Sequence, residues 1–347
     1  PGAIQTQLTE WFGGPEKYTK SMNLNLYSVY SYPNIVLALL GGYLIDGFLG
    51  VRAASVLFCA LITIGQLLFA IGVQSKVFWV CLLGRFVFGL GGESLTVSQN
   101  AFTVRWFDGP YLSLCFAVVL CFSRLGSSVN FIVTPMLANA GVPISIWMGT
   151  AMCVLSMVAC LLLTGLDYWG QDRLKAETVE EKVSLKHILR LPLATWLNFG
   201  ICFFFYIGIL TFYAVASDIM QQTGAKYDPQ TASLFLAVPN FTSVFAFPIV
   251  GYLVDKYGRA LYWCGSASVM LLIAHVVFLG NANDWFQVHP IFPMVWLGIA
   301  YAMGACAVWP MVSYILPNHV LGTAFGTMTA VQNLGTSMAP QLIGYIQ

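Results

Sequence analysis

Ten apolar stretches of about 20 residues or more, each bounded by turn or charge signals, run almost end to end through this chain of 347 residues. Each is long enough to cross a bilayer as a helix, and they are predicted near 23–45, 53–73, 77–101, 111–138, 143–166, 193–217, 230–254, 260–280, 290–316 and 321–345. The remaining polar residues are too few to coat a water-facing surface. Only 8% of residues are charged, whereas a soluble domain carries roughly a quarter. Membrane lipid must therefore be the solvent, and the expected fold class is an all-α membrane protein.

The same sparseness excludes several functions. The net charge is +1 and no basic run is present, so nucleic acid is not an expected partner. Nine cysteines lie singly in apolar runs without a CxxC pair, and four histidines lack any HxxxH or HExxH spacing. No metal or other cofactor is expected. Nor does any nucleophile, base and acid set suggest an enzyme. No signal-peptide pattern is visible at Pro1, and a chain opening without methionine reads as a trimmed one. The one Asn-x-Ser/Thr sequon, Asn240-Phe241-Thr242, falls inside a predicted span where glycosylation would not reach it.

The long polar interval is 167–192, with five basic and five acidic residues. It divides the chain into a predicted N-terminal bundle (1–166), a linker (167–192) and a C-terminal bundle (193–347). Loops on the linker's side hold nine lysines and arginines against four on the other side, which places the linker in the cytosol. By that count the segment 1–22 lies outside or in a lumen.

The halves repeat. GGYLIDGFLGVR around Asp46 and GYLVDKYGR around Asp255 are 209 residues apart, and the same offset lays FAVVLCFSRLG (116–126) on FGTMTAVQNLG (325–335), pairing Arg124 with Asn333. An aspartate at a helix end favours the N-terminal dipole of a neighbouring helix, and glycine lets helices approach closely. Asp46, Arg52, Asp255, Lys256 and Arg259 are accordingly predicted to latch the cytosolic side. GYLVDKYGR resembles the loop motif GxLxDxxGR of the major facilitator superfamily, and LGRFVFGLGG (83–92) resembles its fourth-helix pattern. The first loop copy has one extra residue between Asp46 and Gly50 and no basic residue at Gly47, where Arg52 is a candidate substitute. The resemblance implies two pseudo-symmetric helical bundles. On that assignment the chain runs from just before helix two to helix eleven.

Two charges stand deep in predicted spans. Glu93, in GGESLTVSQN, and Arg124, in SRLGSSVN, lie roughly 15 and 20 Å from the cytosolic ends of adjacent spans, by the rise of about 1.5 Å per residue. An ionisable group there usually pairs or faces a wet cavity. Helical spacing adds Thr96 and Asn100 beside Glu93, and Ser127 and Ser128 beside Arg124. The paired glycines Gly91 and Gly92 would thin the helix where an amine approaches. Three readings stand at this point: a packing salt bridge, a site for a zwitterion, or a proton carrier at Glu93. A carboxylate suits an ammonium and a guanidinium suits a carboxylate. Arg85, two turns from Glu93, is expected to bond backbone of a facing helix. The other candidate contacts are Tyr27, Tyr30, Tyr206, Trp309, Gln332 and Asn333, with a helix break at Trp309-Pro310.

The stretches YSYPNIVLALLGGYLID, GRFVFGLGGESLTVSQN and WPMVSYILPNHVLGTAFGTMTAVQNLG further resemble one branch of the superfamily, whose members carry dipeptides out of lysosomes. That resemblance implies facilitative uniport of a dipeptide held at Glu93 and Arg124, lysosomal residence, and a glycosylated single-span accessory subunit. A proton-coupled carrier of organic ions with Glu93 as proton site, and a non-transporting peptide sensor or scaffold, are the alternatives. The antiporter pattern GxxxGPxxGG is absent from SRLGSSVNFIVTP, which counts against the first of these.

Overall fold

The computed structural model describes residues 4–346 apart from 15, 32, 33, 108–110, 171–190, 223–226 and 228. Most of the predicted linker thus lies outside the described residues, as does the side chain of Tyr27. Among the described residues every regular element is helical: α1 (Gln5–Trp11), α2 (Lys20–Ser31), α3 (Asn34–Leu44), a π-helical turn (Ile45–Leu49), α4 (Gly50–Ser75), α5 (Phe78–Phe107), α6 (Leu112–Ala140) and α7 (Val142–Gly170). There follow α8 (Leu193–Gln222), α9 (Pro229–Tyr257), α10 (Ala260–Ala282), α11 (Ile291–Ile315), a 3-10 turn (Asn318–Val320) and α12 (Leu321–Ile346).

Helix occupies each of the ten predicted spans, the first shared by α2 and α3. Eight helical stretches among the described residues are long and apolar enough to cross a membrane, and the first of them, Val36–Ser75, takes in two predicted spans. The protein is an all-α, multi-pass membrane protein. It divides into two compact units: Pro1–Phe102 with Val129–Arg190 and Asn318–Ala330, and Thr103–Ser128 with Leu191–Pro317 and Val331–Gln347.

In the first unit α4 packs along α7. Thr63 donates to the Cys153 carbonyl at 3.3 Å and Gln66 to that of Ile146 at 3.4 Å, so polar side chains find acceptors on the facing helix. The helix α7 runs on through Gly170, and Asp167, expected to begin the linker, is a fully buried partner of Arg52. The segment 1–22, which precedes the first predicted span, contains α1. Ile4 and Leu8 are buried against Phe69, Val73 and Ile146, while the Trp11 indole donates to the Val73 carbonyl at 2.8 Å. The stripe Ile4, Leu8, Trp11 at helical spacing in IQTQLTEW carried that signal.

In the second unit α11 is the centre, packed on α8, α9 and α10. It passes through Pro310 without the expected break. Proline removes one backbone donor, but Gly304 to Val312 are all buried among neighbouring helices, which hold the helix in place through that position.

The extra residue in the first loop copy has a local cause and effect. The Gly50 amide closes back on the Ile45 carbonyl, five residues earlier, whereas the Gly258 amide closes on Val254, four residues earlier, at 2.8 Å. Ile45 and Val254 each precede the repeat aspartate and are themselves 209 apart. A π-helical turn holds one residue more per ring than an α-helical one, so the insertion is absorbed there. Both closures end in a glycine of positive φ, 68° at Gly50 and 64° at Gly258. A side chain at such a φ costs roughly 1–2 kcal/mol.

Candidate functional site

Within the first unit, Glu93 is a half-buried residue on α5, and the Tyr30 hydroxyl of α2 donates to its Oε1 at 3.5 Å. Tyr30 is fixed from two sides. Asn34 donates to its carbonyl at 2.8 Å, and the Arg85 guanidinium lies 5.2 Å from its ring centre and 5.3 Å from that of Phe88. Arg85 also donates to the Leu26 carbonyl at 3.4 Å, the backbone contact expected of it. The paired glycines have a different role from the expected one. A Cβ on Gly91 would stand 2.4 Å from the Phe58 carbonyl of α4, and one on Gly92 would stand 3.1 Å from the Tyr30 hydroxyl. They admit α4 and Tyr30, and Tyr30 is what reaches the carboxylate.

Within the second unit, Arg124 on α6 donates through Nη2 to the hydroxyl of Tyr301 on α11, and its guanidinium lies 4.8 Å from the Tyr301 ring centre. Tyr301 was not foreseen. Its ring meets Tyr206 edge-on at 6.1 Å and Phe247 at 5.7 Å. The Trp309 indole in turn donates to the Tyr206 hydroxyl at 2.8 Å. Tyr206 and Trp309 are both buried, and they brace the aromatic group that carries Arg124. No local signal in the sequence marks Tyr301, since an aromatic in an apolar span reads as packing. On α12, Gln332 and Asn333 are half-buried, and the Asn333 side-chain amide nitrogen is buried without a hydrogen-bond partner among the described residues.

Each charge therefore has a tyrosine hydroxyl for a partner. Among the described residues of its own unit neither forms an ion pair. Desolvating a charge without a counter-charge is expensive, and such a group in a membrane span is a default functional position.

The expected latch residues fall into two sets. Asp46 accepts from the amides of Gly322 at 3.1 Å and Thr323 at 2.5 Å, at the start of α12. Asp255 accepts from the amides of Ser113 at 2.9 Å and Leu114 at 2.7 Å, at the start of α6. Donors and acceptors alike repeat at the offset of 209. Close contact makes this possible: a Cβ on Gly42 would stand 2.2 Å from the Gly322 carbonyl, and one on Gly251, its repeat mate, 3.0 Å from that of Ser113. Arg52, the candidate substitute for a missing basic residue, pairs with Asp167 on α7 and lies 5.6 Å from the Tyr168 ring centre. Lys256 and Arg259 are exposed, over the rings of Tyr257 at 5.7 Å and Tyr262 at 5.8 Å respectively.

A duplicated set of spanning helices, with an aspartate capping a partner helix in each copy and single charges set in the spans, defines a membrane transporter. Residues 8–340 match the Major Facilitator Superfamily, and the chain belongs to that family. It is 34% identical to a zebrafish (Danio rerio) protein named lysosomal dipeptide transporter MFSD1, over 100% of this chain and 76% of that one. The mouse (Mus musculus) protein of the same name is 35% identical, over 100% and 75%. Among solved structures the fold is similar to that of the superfamily transporter FucP in its outward conformation, with TM-score 0.73 and 13% identity, covering 99% of this chain and 88% of that one. The human organic anion transporter MFSD10 is similar at TM-score 0.70 and 15% identity, covering 97% and 84%.

Proposed function

We propose that this protein is a facilitative carrier of dipeptides, working by alternating access and moving them out of the lysosome. Glu93 takes the peptide's ammonium and Arg124 its carboxylate, with Tyr30 and Tyr301 setting the two charges. The observation that carries this reading is that each charge is bonded to a neutral hydroxyl, which a substrate of opposite charge can supplement. The likeness to relatives named lysosomal dipeptide transporters supports the substrate class and the location. Asn333, with an unused donor, serves the peptide's backbone carbonyl; Tyr27 and Gln332 complete the contacts. The bundles 1–166 and 193–347 move about the linker 167–192, and Asp46 and Asp255 hold the cytosolic helix ends together in one of the two states. Lys256, Arg259 and Arg52 support that latch. A glycosylated single-span accessory subunit belongs to the same reading, since the chain's one sequon lies within α9.

The test is counterflow of a labelled dipeptide in proteoliposomes with and without a proton gradient. Equal flux in both conditions supports uniport. Flux abolished on collapsing the gradient favours proton coupling through Glu93, and binding without flux favours a sensor.

A further inference from the structure

The Arg124 partner has chemistry left over. A guanidinium only donates hydrogen bonds, so in its bond with Arg124 the Tyr301 oxygen is the acceptor and its own hydrogen must point elsewhere. No acceptor among the described residues of that unit takes this hydrogen, although Tyr301 is only 3% exposed. A buried hydroxyl normally finds a partner for it. The ring is also not at liberty to turn away. Tyr206 and Phe247 meet it edge-on, and Tyr206 is held by the Trp309 indole. The result is a donor of fixed position beside a guanidinium, which is how a site discriminates an anionic acceptor from a neutral one.

We infer that Tyr301 is a specificity-determining residue: its hydroxyl donates to the same carboxylate that Arg124 binds, and Tyr206 and Trp309 are positioning residues that hold it there. This rests on the reading of Arg124 as the carboxylate pole. The ligand class follows from the donors, a terminal carboxylate in preference to a terminal amide, because two donors converge on one anionic group. Glu93 has the mirror arrangement, with Tyr30 as donor, but there the hydroxyl hydrogen is consumed by the protein's own carboxylate. The two ends of the peptide are therefore read with unequal stringency, and the carboxyl end more strictly.

The experiment measures binding of alanyl-alanine and of alanyl-alaninamide to the purified full chain by calorimetry. Tyr301→Phe keeps the ring and removes the hydroxyl. It is expected to weaken alanyl-alanine about tenfold, as for a hydrogen bond to a charged group, and the amide less than threefold. Trp309→Phe, which removes the brace and leaves an aromatic ring, is expected to weaken the acid about threefold with the same bias. Equal weakening of acid and amide, or none, by Tyr301→Phe overturns the inference and leaves Tyr301 a packing residue. Arg124→Gln separates the two ideas. If it leaves the acid-to-amide ratio unchanged, the carboxylate reading of Arg124 itself is wrong, whatever Tyr301→Phe does.

Discussion

At the scale of single residues, the two intramembrane charges are set by hydroxyls, and each hydroxyl is worth a different amount. The Tyr30 bond to Glu93 is long at 3.5 Å, so Tyr30→Phe is expected to change dipeptide KM by less than about threefold. Removing a charge that meets an opposite charge on the substrate loses about 1.5–3 kcal/mol, a ten- to hundredfold loss of affinity. The pair Arg52 and Asp167 is a different case. The Asp167 side chain is fully buried, so Arg52→Ala leaves a buried carboxylate and is expected to cost about 3 kcal/mol, read as a lowered unfolding midpoint in detergent. The double change Arg52→Leu with Asp167→Leu should be less destabilising than either single truncation, because no orphaned charge remains. Glu93 and Arg124 were legible in the sequence because a charge in an apolar span is conspicuous. Tyr301 was not, because an aromatic in a buried span has no sequence mark that separates packing from partnering a charge.

At the scale of helices and turns, the repeat is visible as geometry. The sequence showed the aspartates and the 209 offset, and the helix dipole argument pointed to capping. It did not show which amides are capped, since contacts between residues as distant as 46 and 322 leave no local pattern. The π-helical turn gives a direct test of the insertion argument. Deleting Phe48, an exposed residue of that turn, should convert it to the α-helical closure seen after Asp255. The variant is expected to keep its unfolding midpoint within a few degrees, since one small local change shifts stability by about 1 kcal/mol. Deleting Leu57 inside α4 is the control, because it rotates every later residue of the helix by about 100° and should prevent folding. A large loss of stability on deleting Phe48 would show that the turn is more than an accommodation.

At the scale of the whole molecule, the class of fold was readable because spans of about 20 apolar residues leave little choice in lipid. What stayed hidden were places where the chain departs from simple spanning helices. Helix α1 sits outside the spans, α7 extends past its apolar run to bury Asp167, and α11 continues through Pro310. In each case tertiary burial decides against a local signal: Ile4 and Leu8 against a short polar segment, Arg52 against a linker's charge, and three neighbouring helices against a proline. The functional claim at this scale is that one ligand carries both charges that the protein's two poles require. The most direct measurement is counterflow of labelled alanyl-alanine in proteoliposomes for the native chain, Glu93→Gln and Arg124→Ala, with N-acetylated and C-amidated analogues as competitors. The expected result is that both substitutions reduce flux at least tenfold, and that the native chain is competed weakly by either blocked analogue. Unchanged flux in both variants, or competition by the blocked analogues as strong as by alanyl-alanine, would contradict it.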